Sequence, residues 1–300
     1  MNRDGRLHLL PMSPNFILQI LLLSCLAIGA IFWGGARLLP LSVMAACTGF
    51  AGLFFCKDPP KLPRSLQYAA LGIVLWSLAC LWLSRNGVFG WKVFTIHVLY
   101  LLCFFAAVKI AQTGEEGRMF LPLACMAAFV PVLYGYYRLD AGVEAVLGLP
   151  QPGEYAGRMS GTFISPNHFG VFAGMLGLLL FGYAVQARGI SARAVLAAGC
   201  FLAFLGTILS GSRTALLVLL LVSCFFLVCT KMSPLGRRAK LALAAAAVLA
   251  ALLSVFLQIG AVHRFVAGIW DPGMAARVKV WQDTAAMILQ NPLAGVGLGN

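Results

Sequence analysis

Four arginines, Arg158, Arg213, Arg264 and Arg277, flank the apolar runs of this 300-residue chain. Each guanidinium is a planar fork of donors that stays charged at any physiological pH, which suits bidentate binding of phosphate. Several on one side of a membrane suit a diphosphate headgroup. An arginine beside a membrane span also snorkels to lipid phosphates, and for any one of the four taken alone both readings stand. Arg213 is the exception, because Ser210-Gly211-Ser212-Arg213-Thr214 interrupts an apolar stretch over 194–230 that is too long for one crossing. Turn-prone residues and a charge bring the chain to the surface there, with Ser212 and Arg213 pinned in a short turn.

Arg158 opens the run RMSGTFISPNHFG (158–170), which leads straight into a span. Pro166 suits a first helical position, Asn167 can satisfy open backbone donors, and the start of a helix favours an anion. The plainer reading is a capped helix start with Gly170 and Gly174 as a small-residue packing face. His168 is either a proton-transfer group or an amphipathic residue at the interface. Farther on, Arg277 and Trp281 are i,i+4 neighbours on an expected helix over 274–289, so the indole can stack on the guanidinium. Gly295, Gly297 and Gly299 follow with no strand before them, which reads as a flexible connection rather than a dinucleotide loop.

Metal chemistry finds no support. The carboxylates expected outside, Asp140, Glu144, Glu154, Asp271 and Asp283, form no DxD pair. All nine cysteines fall in or beside expected spans, without zinc-ligand spacing or a disulfide framework. No cofactor is expected.

The elements that position these residues follow from composition. A hydrophobic fraction of 61%, a charged fraction of 10% and a mean hydropathy of +0.91 mark an integral membrane protein. Apolar runs near the length of about 20 residues needed to cross a bilayer as helix occur at 15–33, 38–56, 66–84, 93–110, 119–137, 169–187, 194–210, 214–230 and 241–260. The expected fold is an all-α polytopic membrane helix bundle of about nine transmembrane helices. Residues 1–137 hold helices 1–5, 138–168 form an outside loop with a short surface helix over 140–147, 169–260 hold helices 6–9, and 261–300 begin a second large outside segment. The first run is an uncleaved helix, with no small-x-small cleavage site before a soluble domain.

Lysine and arginine set the orientation. With the N-terminus in the cytoplasm, thirteen cations fall inside, among them Lys231, Arg237, Arg238 and Lys240 in one short loop, and nine fall outside, Arg138 among them. The formal charge of +13 therefore reflects loops meeting anionic lipid, and no basic arm or zinc-finger spacing points to nucleic acid. Two further function classes stay open on the residues alone: a permease or flippase for an amphipathic solute, and a non-catalytic scaffold subunit of the envelope.

Three patterns in this order, RMSGTFISPNHFG, LSGSRTALL and RVKVWQDTAAMILQNPLAGVGLGN, resemble the O-antigen ligase and Wzy-type polymerase superfamily over roughly residues 120–300. The resemblance implies a metal-independent glycosyltransferase of the bacterial inner membrane, active at the periplasmic face. It implies an undecaprenyl-diphosphate-linked glycan as donor, an acceptor glycolipid such as lipid A-core, another glycan or a protein hydroxyl, and membrane lipids as surroundings. Arg158, Arg213 and Arg277 would bind the departing diphosphate, with Asn167, His168, Ser212, Trp281 and Arg264 in support. The family's periplasmic loop continues to a histidine, its candidate base. That histidine is expected beyond Asn300, so the chain reads as C-terminally truncated, and neither His168 nor His263 takes the role.

Overall fold

The computed structural model describes residues 13–212 apart from Ala36, Asp58, Glu115, Glu116 and Arg118, then 214–216, 218, 219 and 222, then 272–299 apart from Leu293 and Ala294. The expected span at 241–260, most of that at 214–230, and the residues Arg213, Arg264 and His263 lie outside the described residues. The described residues form the helices α1 Pro14–Ile31, α2 Leu38–Lys57, α3 Arg64–Trp82, α4 Gly87–Gln112, α5 Phe120–Asp140, α6 Pro166–Gln186, α7 Ile190–Leu209 and α8 Pro272–Gln290. Among the described residues the only extended pairing is an isolated bridge between Val146 and Leu149.

Lipid cannot hydrogen-bond a backbone, so apolar runs of this length satisfy their own amides and carbonyls as helix. Six of the described helices, α1 and α3 to α7, are long and apolar enough to cross a membrane, and the apolar part of α2, Leu39–Leu53, is shorter. Side-chain exposure has the pattern of a lipid-facing bundle: on α3, Leu71, Ile73, Leu75 and Trp76 point outward while Ser77 is the buried residue.

The chain forms two compact units. The first takes residues 1–26, 41–124 and 276–300. Its core gathers Leu18 and Leu22 of α1, Ala51 of α2, Ala106 and Ile110 of α4, and Phe120 at the start of α5. The α3–α4 hairpin is pinned along its length by Ser77 Oγ and His97 Nδ1, 3.1 Å apart, and at one end by Asn86, whose side chain caps α4 by accepting from the Phe89 amide. The glycine-rich run after α8 is docked on this hairpin, against the expectation of a flexible connection. The Leu298 amide donates to the Cys80 carbonyl at 2.9 Å, taking one of the acceptors that the end of α3 leaves open.

The second unit takes 27–40 and 125–275. Its core is built from Val132 of α5, Phe169, Ala173 and Leu176 of α6, Cys200 and Ala203 of α7, and Met159 from the connecting loop. The anticipated small-residue face is present: Gly170 lies against Ser210, Ser212 and Ala215, Gly174 against Thr207, and Gly177 receives the Phe204 ring. The expected surface helix over 140–147 does not form. After Asp140 the chain turns, because Arg138 draws the carbonyls of Val143 and Glu144 back toward itself and removes them from any helical ladder.

Gly161 marks where the loop crosses α5 most closely. Its φ is +55°, and a Cβ there would sit 2.6 Å from the Pro131 carbonyl oxygen and against the Phe169 ring. Gly157, with φ +70°, has open space at the same position. Gly157→Ala should therefore cost only the left-handed strain, about 1 kcal/mol, whereas Gly161→Ala adds a backbone clash and should cost more than about 3 kcal/mol. Thermal unfolding of the two variants in detergent checks the difference.

Candidate functional site

Loop 141–165 is long for a connection between two spans, and although Val146 and Met159 are buried, something polar must gather its open backbone groups. Arg138, at the end of α5 and 6% exposed, does this. Its Nε donates to the Val143 carbonyl at 3.2 Å, Nη1 to Ser160 Oγ at 2.7 Å and to the Gly161 carbonyl at 3.3 Å, and Nη2 to the Glu144 carbonyl at 2.7 Å and Gln151 Oε1 at 3.0 Å. Gln151 passes the support on by donating its amide to the Ile164 carbonyl at 3.0 Å. Every acceptor that Arg138 meets is neutral. Sequence reading placed Arg138 among ordinary outside cations; the signal that could have singled it out is a lone arginine closing an apolar run just before a long polar loop.

The first turn after α1 braces the other side of the same loop. Thr162 Oγ1 donates to the Ala30 carbonyl at 2.6 Å, Trp33 Nε1 donates to the Val146 carbonyl at 3.1 Å, and Gly34 lies flat against the Phe163 ring. Held from both sides, the loop delivers Arg158 to the end of α7. There the Met159 amide donates to the Leu209 carbonyl at 3.0 Å, and Arg158 Nε donates to the Ser210 carbonyl at 2.9 Å. Arg158 Nη2 donates to Asn167 Oδ1 at 2.9 Å, and the guanidinium carbon lies 5.7 Å from the centre of the Tyr155 ring.

The structure thus brings together two segments that are far apart in sequence, 158–170 and the turn 210–212. Ser210 and Ser212 are both buried, and their hydroxyls shape the turn: Ser210 Oγ donates to the Thr207 carbonyl at 2.6 Å, and Ser212 Oγ accepts from the Ala215 amide at 3.3 Å. Ser212 therefore caps the helical segment that follows Arg213 in sequence. Asn167 differs from its expected role. It orients Arg158 instead of capping α6, and Ser165, the residue at the cap position, makes no side-chain cap bond either.

Pro166 occupies the first turn of α6 as anticipated. The first amide to join the α6 ladder is that of Phe169, which donates to the Ser165 carbonyl. The amides of Asn167 and His168 precede it, on two exposed residues at the positive end of the helix. A guanidinium held by the Ser210 carbonyl and Asn167 at the start of a helix is the kind of arrangement that suits an anion. Toward α5, Arg158 also lines a small polar cleft of about 180 Å³ with Arg138, Glu144, Gln151 and Ser160. A larger cavity of about 520 Å³, between the α2–α3 connection, α3 and α4, is lined by apolar side chains and Gln67 and has no charged group for an anion.

Arg277 lies on α8, within the first unit, and its side chain is outside the described residues, as are Arg213 and Arg264. Trp281, on the same helix, is well exposed. Among the described residues no group of three or more His, Cys, Asp or Glu could hold a metal ion.

Residues 198–300 match the family model described as O-Antigen ligase. No curated protein and no solved structure matches the chain. The O-antigen ligase match begins within α7 and takes in the 210–212 turn, Arg213 and α8, while Arg158 and the start of α6 lie before it. The Arg158–Ser210 hydrogen bond therefore joins the 158–170 segment to the matched region.

Arg138→Lys tests the loop's dependence on a fork of donors, since one ammonium cannot reach five acceptors spread over Val143 to Gly161. It should destabilise the protein by about 3 kcal/mol and speed protease cleavage within 141–165. Unfolding in detergent and limited proteolysis report the two effects.

Proposed function

We propose that this membrane protein is a glycosyltransferase of the O-antigen ligase and polymerase type. It takes a glycan from an undecaprenyl-diphosphate carrier at the periplasmic face of the bacterial inner membrane and joins it to a hydroxyl of lipid A-core or of another glycan. The observation that carries this reading is Arg158, held by Ser210 and Asn167 at the open end of α6 and beside the turn that leads to Arg213. That is where a diphosphate would be gripped. The family match over 198–300 supports the transferase class.

Contacts between helix ends support the sidedness. The α1–α2 turn touches loop 141–165 across α2 to α5, that loop touches turn 210–212 across α6 and α7, and the α3–α4 turn touches 295–299. Segments that touch outside the bilayer must be separated by an even number of crossings. The first contact favours counting α2 as a crossing. The distribution of lysine and arginine favours the cytoplasm for the opposite face.

In the reaction, an acceptor oxygen bonds to the anomeric carbon as that carbon releases its bond to the diphosphate oxygen. The hydroxyl proton passes to a base that none of the described residues is assigned to be. Negative charge grows on the leaving diphosphate, so Arg158, with Arg213 and Arg277, stabilises the transition state more than the bound donor. His168, Ser212, Trp281 and Arg264 support this set.

In the full-length protein, Arg158→Ala should lower glycan transfer by about a hundredfold or more, with the protein still folded and inserted. Asn167→Ala leaves the guanidinium in place but poorly aimed and should cost about tenfold. Transfer assayed with purified carrier-linked glycan decides: undiminished transfer by Arg158→Ala would sink the reading.

A further inference from the structure

α8 carries an apolar stripe that is exposed among the described residues. Val278, Trp281, Ala285 and Ile288 recur at spacings of three and four and so share one face, with Leu289 beside them. Trp281 is 61% exposed, Ile288 57% and Leu289 81%. The opposite face presents Lys279, Asp283 and Gln290, with Val280 and Met287 between them. Thr284, on the flank, has its hydroxyl bonded to the Val280 carbonyl at 2.6 Å and so makes no demand for water.

The glycine run after the helix fixes the level at which α8 sits. Gly297 and Gly299 have φ of +93° and +77°, and a Cβ on either would meet backbone: the Leu83 carbonyl oxygen at 2.6 Å for Gly297, the Phe89 carbonyl carbon at 2.6 Å for Gly299. Their bare Cα atoms let the chain lie directly on the α3–α4 turn, where Leu298 bonds to Cys80. This turn joins two membrane-length helices, and Trp82 (91% exposed) and Trp91 (59%) flank it, as tryptophans do at the boundary between lipid and water. The Asn291 amide bonds to the Met287 carbonyl and the Gly295 amide to the Asn291 carbonyl, so a tight turn ties the end of α8 to that boundary.

We propose that α8 is an interfacial helix, lying in the plane of the bilayer surface with Val278, Trp281, Ala285 and Ile288 in the acyl-chain boundary and Lys279 and Asp283 toward water. The occupant of its apolar face is phospholipid. A helix with an exposed apolar stripe, ending in a clasp at the membrane boundary, has that surface within reach. The glycines are the clasp that sets its depth. This placement requires only that α3 and α4 span the membrane, although Trp281 also belongs to the residues proposed to support the diphosphate site.

Tryptophan fluorescence of the full chain in phosphatidylethanolamine–phosphatidylglycerol vesicles tests it, with and without phosphatidylcholine brominated on its acyl chains. The emission of the wild type minus that of Trp281→Phe isolates Trp281. Bromolipid should quench most of this difference while aqueous acrylamide quenches little. Gly299→Val, which forces the clasp open, should raise acrylamide quenching of the same signal. The proposal is overturned if acrylamide quenches the difference and bromolipid does not, or if neither does, which would bury the stripe against protein. Glycan transfer does not enter this readout, so failure here leaves the diphosphate reading to its own test.

Discussion

The connection between α5 and α6 has many backbone polar groups that its buried Val146 and Met159 cannot satisfy, and the Arg138 guanidinium gathers them. Five neutral acceptors spread over Val143 to Gly161 converge on it. Each would otherwise face water or the edge of the bilayer separately, and an unmade bond in that setting costs far more than a made one gains. With those acceptors gathered, Met159, Gly161 and Phe163 can settle against α5, α6 and Gly34, and Arg158 is carried to the end of α7. The division of labour is physical. Arg138 is buried and holds the loop, and Arg158, half-buried, is anchored through Nε and Nη2 at the start of α6.

Much of the scaffold was legible in the sequence because lipid leaves so few choices. The expected runs at 15–33, 66–84 and 194–210 stand close to α1, α3 and α7, and Pro166 begins α6 as its ring geometry requires. Gly170 and Gly174 form the packing face that their spacing implied. The polar stretches were less legible. Residues 140–147 look helical by composition, yet Arg138 takes the carbonyls a helix would need, and no local propensity registers a partner drawn from the preceding span.

Asn167 and the terminal glycines teach the same point. Asn167 has the right type and position to cap α6, but a guanidinium nine residues earlier competes successfully for its oxygen. The glycines at 295, 297 and 299 read as flexibility because their contact surface, the α3–α4 turn, lies some two hundred residues away in sequence. Long-range partners decide both cases. The juxtaposition of 158–170 with 210–212 is likewise a tertiary fact, and it turns separate arginine motifs into parts of one candidate site.

The most direct measurement is the affinity of the full-length protein for undecaprenyl diphosphate against undecaprenyl monophosphate, compared between wild type and Arg158→Gln in nanodiscs. If Arg158 grips the leaving group, the wild type prefers the diphosphate by about tenfold or more, and Arg158→Gln binds the two carriers nearly alike. An equal preference in both proteins, or none in the wild type, would contradict a diphosphate site at the junction of α6 and α7.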